Sequence, residues 1–459
     1  MAQDPNQNRP ADVAQADSVG GMAKRLLNPA HLSDLARRSA ATLKEQGAEQ
    51  LWRDVTFRVG LAFHHDSWQH RADLPLRREL KAQRAEYADG KPGPVVSVVV
   101  PLYNTPEKFF GQMLASVQKQ TYPHWQLVLV FSTHASKAAA KDPRILYKKV
   151  ENGGIAANTT AGFALATGTY IALLDHDDVL YPNALYESVK TLQSQGAELV
   201  YSDEIVLSAD LKQLGGYHFK PDFAPDYLRG VNFITHLAVF SRALLDRAGA
   251  YESSEYDGAQ DHDLMLRLTE QTTRDKIAHI KKVLYIWRGH AGSTAAGMEA
   301  KPYALAAGVR AIDAQLKRLN LPGKAMEVKD APGAFQVRYE LTGHPLVSVM
   351  IPNKDHIDDL DRCLKSLYAN AGYDNFEVLV IENNSEQQET FAYYKTMPER
   401  YPNSRVVTYV GPFNFSAVNN LGARFAKGEH LLLLNNDIEV LSHDFLRELL
   451  SYSQRPDVG

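Results

Sequence analysis

The sequence predicts an α/β protein with mostly parallel sheets, and three observations lead to this fold class. Short β-branched runs such as residues 95–100 are typical of strands that are buried on both faces. Stretches with helical periodicity alternate with these runs, as in proteins whose parallel strands are joined by helices. The same order of motifs begins again near Pro345. A recurrence after about 250 residues indicates a duplicated domain rather than a short structural repeat.

The first copy follows a Lys-Pro-Gly-Pro boundary at residues 91–94. Its periodicity predicts a strand over 95–100, a helix over 107–118, strands over 126–131 and 145–149, a helix over 155–166 and a strand over 170–174. The last of these strands is apolar and ends at a cluster of acidic residues. Because ligands bind at the carboxyl ends of strands in open α/β sheets, this cluster is the first candidate for a functional site.

The region before the first copy has two parts. Residues 1–20 are polar, contain two prolines and are predicted to be disordered. Residues 21–90 have apolar side chains at helical spacing, with basic residues such as Lys24 and Arg37 on the other faces. This pattern favours a helical region packed on the next domain, and a helix lying on a membrane surface is the alternative.

The composition excludes several classes of protein. The 459 residues carry a net charge of −4, which disfavours a nucleic-acid binder. The single cysteine, Cys363, excludes an internal disulfide framework and a multi-cysteine zinc site, and it suits a reducing compartment. There is no apolar run of about 18 residues and no secretory signal at the polar N-terminus. We therefore expect a cytoplasmic protein, with any membrane contact peripheral.

The duplication sets the expected domain boundaries. Ser348 follows Ser97 by 251 residues, and Asp437 follows Asp177 by 260 residues. We expect a complete domain over 95–320, a linker over 321–344 and a second domain over 345–459. Only 22 residues follow Asp437, so this second domain is expected to be partial and inactive.

The acidic cluster is the strongest local motif. Asp175, Asp177 and Asp178 follow the apolar strand over 170–174 directly. Hard cations such as Mg²⁺ and Mn²⁺ take carboxylate oxygens together with the phosphates of a ligand. Two carboxylates at positions i and i+2 are able to hold one such ion with its diphosphate. A solvated loop or a helix cap is the alternative for an acidic turn of this kind.

Two further clusters lie downstream. Asp261 and Asp263 stand at the start of a predicted helix, where the first is either a general base or only a cap, and spacing alone favours the cap. Arg288, His290 and Ser293 follow an apolar strand in a glycine-containing loop. Each of these three side chains is able to meet phosphate oxygens, and His290 is also a candidate ligand for a metal. A surface loop anchored by a tryptophan is the alternative for this segment.

Taken together and in order, these motifs resemble family 2 inverting glycosyltransferases of the GT-A fold, which has a Rossmann-like sheet. More narrowly, the chain is similar to the bacterial enzymes with tandem domains that build O-antigen, capsule and related polysaccharides. The segments that carry the resemblance are residues 96–104, 174–180, 201–204, 219–222, 260–264 and 287–294.

The resemblance implies transfer of a sugar, with inversion, from a UDP- or dTDP-sugar to a hydroxyl of a glycan or a lipid-linked glycan. It implies Mn²⁺ or Mg²⁺ as cofactor and Asp261 as the base. It is compatible with contacts to an assembly complex and with peripheral contact at the inner face of the inner membrane. The donor-binding residues that it implies are Pro101, Tyr103, Asn104, Asp175, Asp178, Arg288 and Ser293. The metal ligands that it implies are Asp175, Asp177 and His290. Asn232 and His236 are acceptor-side candidates, for which a turn and a satisfied strand histidine are equally good interpretations.

Two departures from the family pattern bear on function. Residues 131–134 read Phe-Ser-Thr-His where family members usually carry aspartates that contact the base of the nucleotide. In the second copy Glu382 is closer to that pattern, but the acidic motif reads Asn435-Asn436-Asp437. A non-catalytic carbohydrate- or partner-binding module is therefore the rival of the enzyme hypothesis.

Overall fold

The computed structural model describes residues 77–131, 142–151, 153–250, 254–289 and 302–458, together with a few isolated positions before residue 77. The predictions for residues 1–20 and for most of 21–76 lie outside these ranges. Chain contacts divide the protein into one unit formed mainly by residues 1–315 and a second formed mainly by residues 337–459. No described helix has the length and apolar character needed to cross a bilayer.

The first unit is built on one mixed sheet. Its strands are β1 (Val96–Leu102), β2 (Trp125–Phe131), β3 (Ile145–Lys149), β4 (Tyr170–Leu173), β5 (Val179–Leu180), β6 (Leu199–Ser208), β7 (Leu214–His218), β8 (Ala238–Ser241) and β9 (Ile277–Gly289). The strand order is β3-β2-β1-β4-β8-β6-β9-β5, with β7 paired to β6. The pairs among β1, β2, β3 and β4 are parallel, whereas β8 is antiparallel to both of its neighbours.

Helices cover this sheet and bury its apolar residues. They are α1 (Arg77–Glu86), α2 (Glu107–Gln118), α3 (Gly154–Leu165), α4 (Ala184–Gln195), α5 (Pro225–Gly230), α6 (Arg242–Ala248), α7 (Gln260–Glu270) and α8 (Pro302–Arg318). One core cluster joins strand residues such as Val98 and Leu127 to helix residues such as Leu114 and Leu185. Burial on both faces explains why the strand sequences are continuous apolar runs.

The second unit repeats the parallel half of the first. Its elements are β12 (Val347–Asn353), α9 (Ile357–Asn370), β13 (Phe376–Glu382), α10 (Gln388–Arg400), β14 (Ser404–Thr408), α11 (Phe415–Phe425), β15 (His430–Leu433) and α12 (Phe445–Ser453). The strand order β14-β13-β12-β15 is that of β3-β2-β1-β4. A short sheet of β10 (Gly323–Glu327) and β11 (Phe335–Tyr339) precedes it in sequence.

The two copies share strand register as well as strand order. Ser97 pairs with Gln126, and Ser348 pairs with Glu377 at the corresponding place. In the first copy the Ser97 hydroxyl donates to Gln126 Oε1 at 2.7 Å and accepts from the backbone N–H of Gly168. Ser348 makes the matching bonds to Glu377 and to the N–H of Gly428. The predicted duplication of an α/β fold is thereby confirmed.

Close packing between helix and sheet explains one glycine that recurs in both copies. A Cβ atom on Gly162 of α3 would lie 2.4 Å from Val99 Cγ1. A Cβ atom on Gly422 of α11 would lie 2.6 Å from Ile381 Cδ1. Since real side chains do not approach so closely, glycine at this position sets the distance between the helix and the strands beneath it.

The predicted elements of the first copy agree with the observed ones to within two residues at each boundary. The helix over 107–118 and the strand over 145–149 are found with those bounds. The start of α7 differs from expectation, because its N-cap is Ala259 and Asp261 is already the second helical residue. Asp261 is therefore not the residue that caps this helix.

Glu377 provides a test of the second unit. Burial would raise the pKa of this carboxyl, but hydrogen bonds from the Lys427 N–H and Ser348, together with Arg405, lower it below the ordinary 4.5. A lowered pKa contributes stability above that ordinary value, and the contribution is lost as the pH falls through the folded pKa. We expect Glu377→Gln to cost about 1 kcal/mol of unfolding free energy at pH 7, with the difference from wild type closing below pH 4.5.

The buried thiol of Cys363 reports unfolding of this unit, because it is the one cysteine in the chain and is fully buried. Its labelling by 4,4′-dithiodipyridine across a urea series gives the midpoint at each pH. Glu389→Gln, which changes an exposed glutamate of α10, is the matched control. A stability difference for Glu377→Gln that is independent of pH would contradict the role given to this carboxylate.

Candidate active site

The acidic turn after β4 is fixed from below by strand β9. Asp178 is 1% exposed. Its two carboxylate oxygens accept the Tyr285 hydroxyl and the backbone N–H of Arg288, each at 2.7 Å. Desolvation and the neighbouring charge of Asp175 raise the pKa of Asp178 well above the ordinary value. Tyr285 O–H also accepts the N–H of Asp175 at 3.3 Å, so one side chain holds both ends of the turn.

Arg288 supports the same turn from behind. Its side chain is fully buried, and it donates from Nε to the carbonyl oxygen of Asp177 at 2.5 Å and from Nη1 to that of Ala209 at 2.6 Å. Its guanidinium carbon lies 4.3 Å from the ring centroid of Phe109. The sequence placed Arg288 among the groups that contact phosphate, whereas the contacts found in the described residues are to backbone oxygens of the protein.

Asp175 and His236 meet at the open side of the turn. His236 Nε2 lies 3.3 Å from Asp175 Oδ2, and the Asp175 side chain is 48% exposed. Desolvation would raise the pKa of Asp175, but the hydrogen bond and the charge of His236 lower it. Desolvation would lower the pKa of His236, yet Glu204 and Asp175 raise it well above 6.5. His236 thus lies with the acidic turn, whereas the sequence makes it a candidate for the acceptor side.

Aromatic rings confine His236. Its ring stacks on Tyr285 with centroids 4.7 Å apart and lies 5.4 Å from the Trp287 ring. Both residues project from β9 on the same face of the sheet, since their positions differ by two along the strand. The imidazole therefore presents its nitrogens in fixed directions, towards Asp175 and towards Glu204.

Glu204 lies behind His236 and is surrounded by basic groups. It is 2% exposed. His218 Nδ1 lies 2.8 Å from its Oε1, while His236 Nδ1 and Lys220 Nζ lie 3.2 Å and 3.4 Å from its Oε2. Burial would raise the pKa of Glu204, but the charges of His236 and Lys220 outweigh this and lower it. The surrounding basic groups therefore favour the ionised form of the carboxylate.

Asp261 enters the site from the first turn of α7. Asn232 Nδ2 donates to its Oδ2 at 3.2 Å, and the N–H of His262 donates to its Oδ1 at 2.9 Å. Desolvation raises the pKa of Asp261 above its ordinary value. The charge of His236 acts to lower this pKa, and the charge of Asp175 acts to raise it. Since Asp261 is not the N-cap residue of α7, its carboxylate is a candidate for a role in chemistry.

The structure groups one set of possible metal ligands within the described residues. Asp175, Asp178 and His236 each offer a ligand atom, and these atoms lie within 4.8 Å of one another. Carboxylate oxygens suit Mg²⁺ and Mn²⁺, and a ring nitrogen favours Mn²⁺ of the two. The donor set therefore fits a divalent cation of this kind. Asp177 is not a member of the group, and the predicted ligand His290 lies outside the described residues.

The remaining donor-side predictions fall at the end of β1. Pro101 is half-buried within the strand, and Tyr103 follows it with 55% of its surface exposed. Asn104 has a φ of 46°, so the chain turns sharply after the strand. Phe131, at the departure from the family pattern, stacks on Tyr147 with centroids 4.3 Å apart. Ser293 and residues 132–134 lie outside the described residues.

The second copy has a different polar arrangement at its sheet edge. Glu382 is buried and accepts hydrogen bonds from the N–H of Ser385 at 2.7 Å and from the Tyr394 hydroxyl at 2.9 Å. Its carboxylate therefore holds its own turn. Asn435 and Asp437 are exposed after β15. The described part of this copy ends before any helix equivalent to α7.

Two residues of the first site were not assigned a role from sequence. In the sequence, Glu204 lies within the segment 201–204 that carries the family resemblance, and Tyr285 lies within the apolar strand before Arg288. Glu204 carried a detectable signal, because an acidic residue within an apolar strand is buried only when it is paired. Tyr285 carried none, since a tyrosine in a strand is ordinary.

Comparison with known proteins identifies the class. The chain matches the family description "Glycosyl transferase family 2" over residues 97–248 and 348–459. These segments make up more than half of the chain, one in each copy, and the chain belongs to that family. Its α/β sheets are of the GT-A type.

Among its relatives, the "Uncharacterized protein y4gI" of Sinorhizobium fredii is 38% identical over 379 residues, covering 80% of this chain and 41% of the relative. The "O-antigen biosynthesis protein RfbC" of Myxococcus xanthus is 38% identical over 379 residues, covering 80% of this chain and 29% of the relative. The chain thus spans less than half the length of these curated relatives. A crystal structure of S. aureus TarS with UDP-GlcNAc is 16% identical, with a TM-score of 0.40 over 48% of this chain and 66% of that one.

The support that Arg288 gives to the acidic turn is testable by its removal. We expect Arg288→Met to destabilise the first unit by about 2–4 kcal/mol, because the partly buried carbonyls of Asp177 and Ala209 lose their donors. Urea unfolding followed by tryptophan fluorescence measures this, since the described tryptophans, Trp125 and Trp287, belong to that unit.

Arg247→Met is the matched control for this change. Arg247 pairs with Glu198 at 2.8 Å, but its side chain is 42% exposed. Its loss should cost no more than about 1 kcal/mol. Equal effects of the two substitutions would mean that Arg288 does not support the turn.

Proposed function

We propose that the first copy transfers a sugar, with inversion at its anomeric carbon, from a UDP- or dTDP-sugar to a hydroxyl group of a growing bacterial surface glycan. The acceptor is a glycan or a lipid-linked glycan, and transfer takes place at the cytoplasmic face of the inner membrane. The observation that carries this proposal is the convergence of Asp175, His236 and Asp261 beside the carboxyl end of β4. Family membership, and the similarity to a relative named as an O-antigen biosynthesis protein, support the choice of reaction and acceptor.

The residues of the site suit a single displacement. Asp261 takes the proton of the acceptor hydroxyl as its oxygen attacks the anomeric carbon, and a raised pKa makes this carboxylate a stronger base. Asn232 donates to Asp261 Oδ2 and the N–H of His262 donates to Oδ1, and the remaining lone pairs of these two oxygens serve the acceptor proton. The exposed Tyr103 is placed to stack on the base of the nucleotide.

The cation site lies on the donor side. Asp175, Asp178 and His236 would hold Mn²⁺ or Mg²⁺, and we retain Asp177 and His290 as further ligands from the sequence. When bound there, the cation supplies positive charge opposite the diphosphate leaving group. Tyr285 and the backbone of Arg288 keep the carboxylates of the turn in place, so that they need not reorganise during the reaction.

For the second copy we propose at most donor contacts by Glu382, Asn435 and Asp437. The exposed Asn435 and Asp437 occupy the position of the acidic turn, which supports this assignment. The buried bonds of Glu382 to its own turn favour a structural contribution from that residue.

Removal of the base gives the first test of the proposal. We expect Asp261→Asn to lower the rate of transfer by about 10²- to 10⁴-fold, because an amide cannot accept the acceptor proton. In the wild type, activity should fall with decreasing pH through a pKa above the ordinary 3.8 of aspartate, since the base must be ionised. Release of nucleoside diphosphate from a panel of nucleotide sugars measures both effects and identifies the donor.

Asp263→Asn is the matched control on the same helix. Asp263 pairs with Arg267 at 2.9 Å and is buried away from the acceptor side, so its loss should affect stability but not the rate constant. Full activity of purified Asp261→Asn would refute the assignment of the base.

Nucleotide binding separates the enzyme from its rival, a non-catalytic binding module. We expect UDP or dTDP to bind the wild type more tightly with Mn²⁺ than without it, and Asp175→Asn and Asp177→Ala each to abolish this difference and transfer. Isothermal titration calorimetry at constant ionic strength measures the affinities. A nucleotide affinity that is the same with and without Mn²⁺, or no nucleotide binding at all, would favour the binding module.

A further inference from the structure

We propose that Glu204 is a positioning residue that orients the ring of His236 at the cation site, and that Lys220 holds both of them in place. This inference rests on the proposed function, because it assigns His236 as a ligand of the cation that the donor requires. It also gives a role to residues 201–204 and 219–222. These two segments carry part of the family resemblance but contain none of the reacting groups.

The hydrogen bonds of His236 divide its two nitrogens between two carboxylates. Nδ1 lies 3.2 Å from Glu204 Oε2, and Nε2 lies 3.3 Å from Asp175 Oδ2. If Nδ1 carries the proton and donates it to Glu204, the lone pair of Nε2 faces the group formed with Asp175 and Asp178. Histidines that bind metals almost always donate their other N–H to a carboxylate or a carbonyl, which fixes the tautomer and raises ligand basicity.

Lys220 fixes the backbone that carries this histidine. Its side chain is 4% exposed, and Nζ lies 3.4 Å from Glu204 Oε2. The same ammonium group donates to the carbonyl oxygens of Thr235 and His236. The lysine therefore ties the carboxylate to the main chain on which the His236 ring is mounted.

The ring has little freedom to adopt another orientation. Tyr285 stacks on one side of it, and Trp287 packs against it at a tilt of 43°. His218 occupies the second oxygen of Glu204 at 2.8 Å, so this carboxylate cannot turn away from His236 without losing a partner. His218 and Lys220 thus keep one oxygen of Glu204 directed at Nδ1.

The opposite face of β6 provides a matched pair for comparison. Asp203 precedes Glu204 along the strand, so its side chain projects from the other face of the sheet. It accepts from His279 Nε2 at 2.8 Å and from the N–H of Lys220 at 2.9 Å. This buried pair has the same chemistry as Glu204 with His236, but it does not touch the acidic turn.

Mn²⁺ binding tests the assignment without a measurement of catalysis. The affinity is measured for the full chain with UDP and, separately, with dTDP, from loss of the electron paramagnetic resonance signal of free Mn²⁺. We expect Glu204→Gln to weaken Mn²⁺ binding by about 10- to 100-fold. Asp203→Asn keeps an oxygen for Lys220 and His279, and it should change the affinity by less than about twofold.

A double-mutant cycle tests whether Glu204 acts through His236. If it does, the loss in Glu204→Gln combined with His236→Gln equals that in His236→Gln alone. If Glu204→Gln does not fold, Glu204→Asp replaces it in the test. This variant keeps the negative charge but moves it back by one methylene, so an intermediate loss of Mn²⁺ affinity is expected.

The outcomes separate this inference from the proposed function. Wild-type protein that binds no Mn²⁺ with either nucleotide would contradict the metal dependence itself. Wild-type binding with unchanged affinity in the folded Glu204 variants, or additive losses in the cycle, would overturn the positioning role alone.

Discussion

The site depends on the way strand β9 holds the acidic turn that follows β4. A turn carrying three carboxylates would repel itself and extend into water unless its backbone and one carboxylate were fixed. Tyr285 and Arg288 provide this, because they bind both oxygens of Asp178, the N–H of Asp175 and the carbonyl of Asp177. Burial of Asp178 leaves Asp175 as the carboxylate that faces the open side. The long parallel pairing of β9 with β6 sets Glu204 opposite Tyr285. The antiparallel pairing of β8 with β6 brings His236, just before β8, to Glu204.

The mixed half of the first sheet brings these groups together. Four parallel strands, β3-β2-β1-β4, form a unit that occurs in both copies with the same register. In the first copy β8 adds to β4 in antiparallel orientation, and His236 immediately precedes this strand. The antiparallel addition reverses the chain beside the carboxyl end of β4, so that a residue about sixty positions downstream faces Asp175. The pairing of His236 with the buried Glu204 and with the more exposed Asp175 then links two parts of the sheet by charge as well as by backbone hydrogen bonds.

Much of the fold was predictable because its signals are local. Strands buried on both faces require apolar runs, and helices that cover them require apolar residues at a spacing of three and four, so β1, α2 and β3 were located from periodicity alone. The acidic turn was predictable for a related reason, since parallel strands place their carboxyl ends at one edge. The partners of Asp178 were not predictable, because Tyr285 and Arg288 lie more than 100 residues away and nothing in a strand sequence states which loop it will contact.

The sequence by itself determined the duplicated α/β fold, the acidic turn and the helix that carries Asp261. Each of these is encoded in residue types at short spacing. The recurrence of Ser, Gly and Asp in a second copy indicated that the domain is duplicated. Only the tertiary structure decided that His236 faces Asp175, that Asp261 is not the cap of its helix and that Arg288 is fully buried beneath the turn. These facts depend on long-range packing and on the competition between desolvation and pairing of charges, which is settled when distant segments are brought into contact.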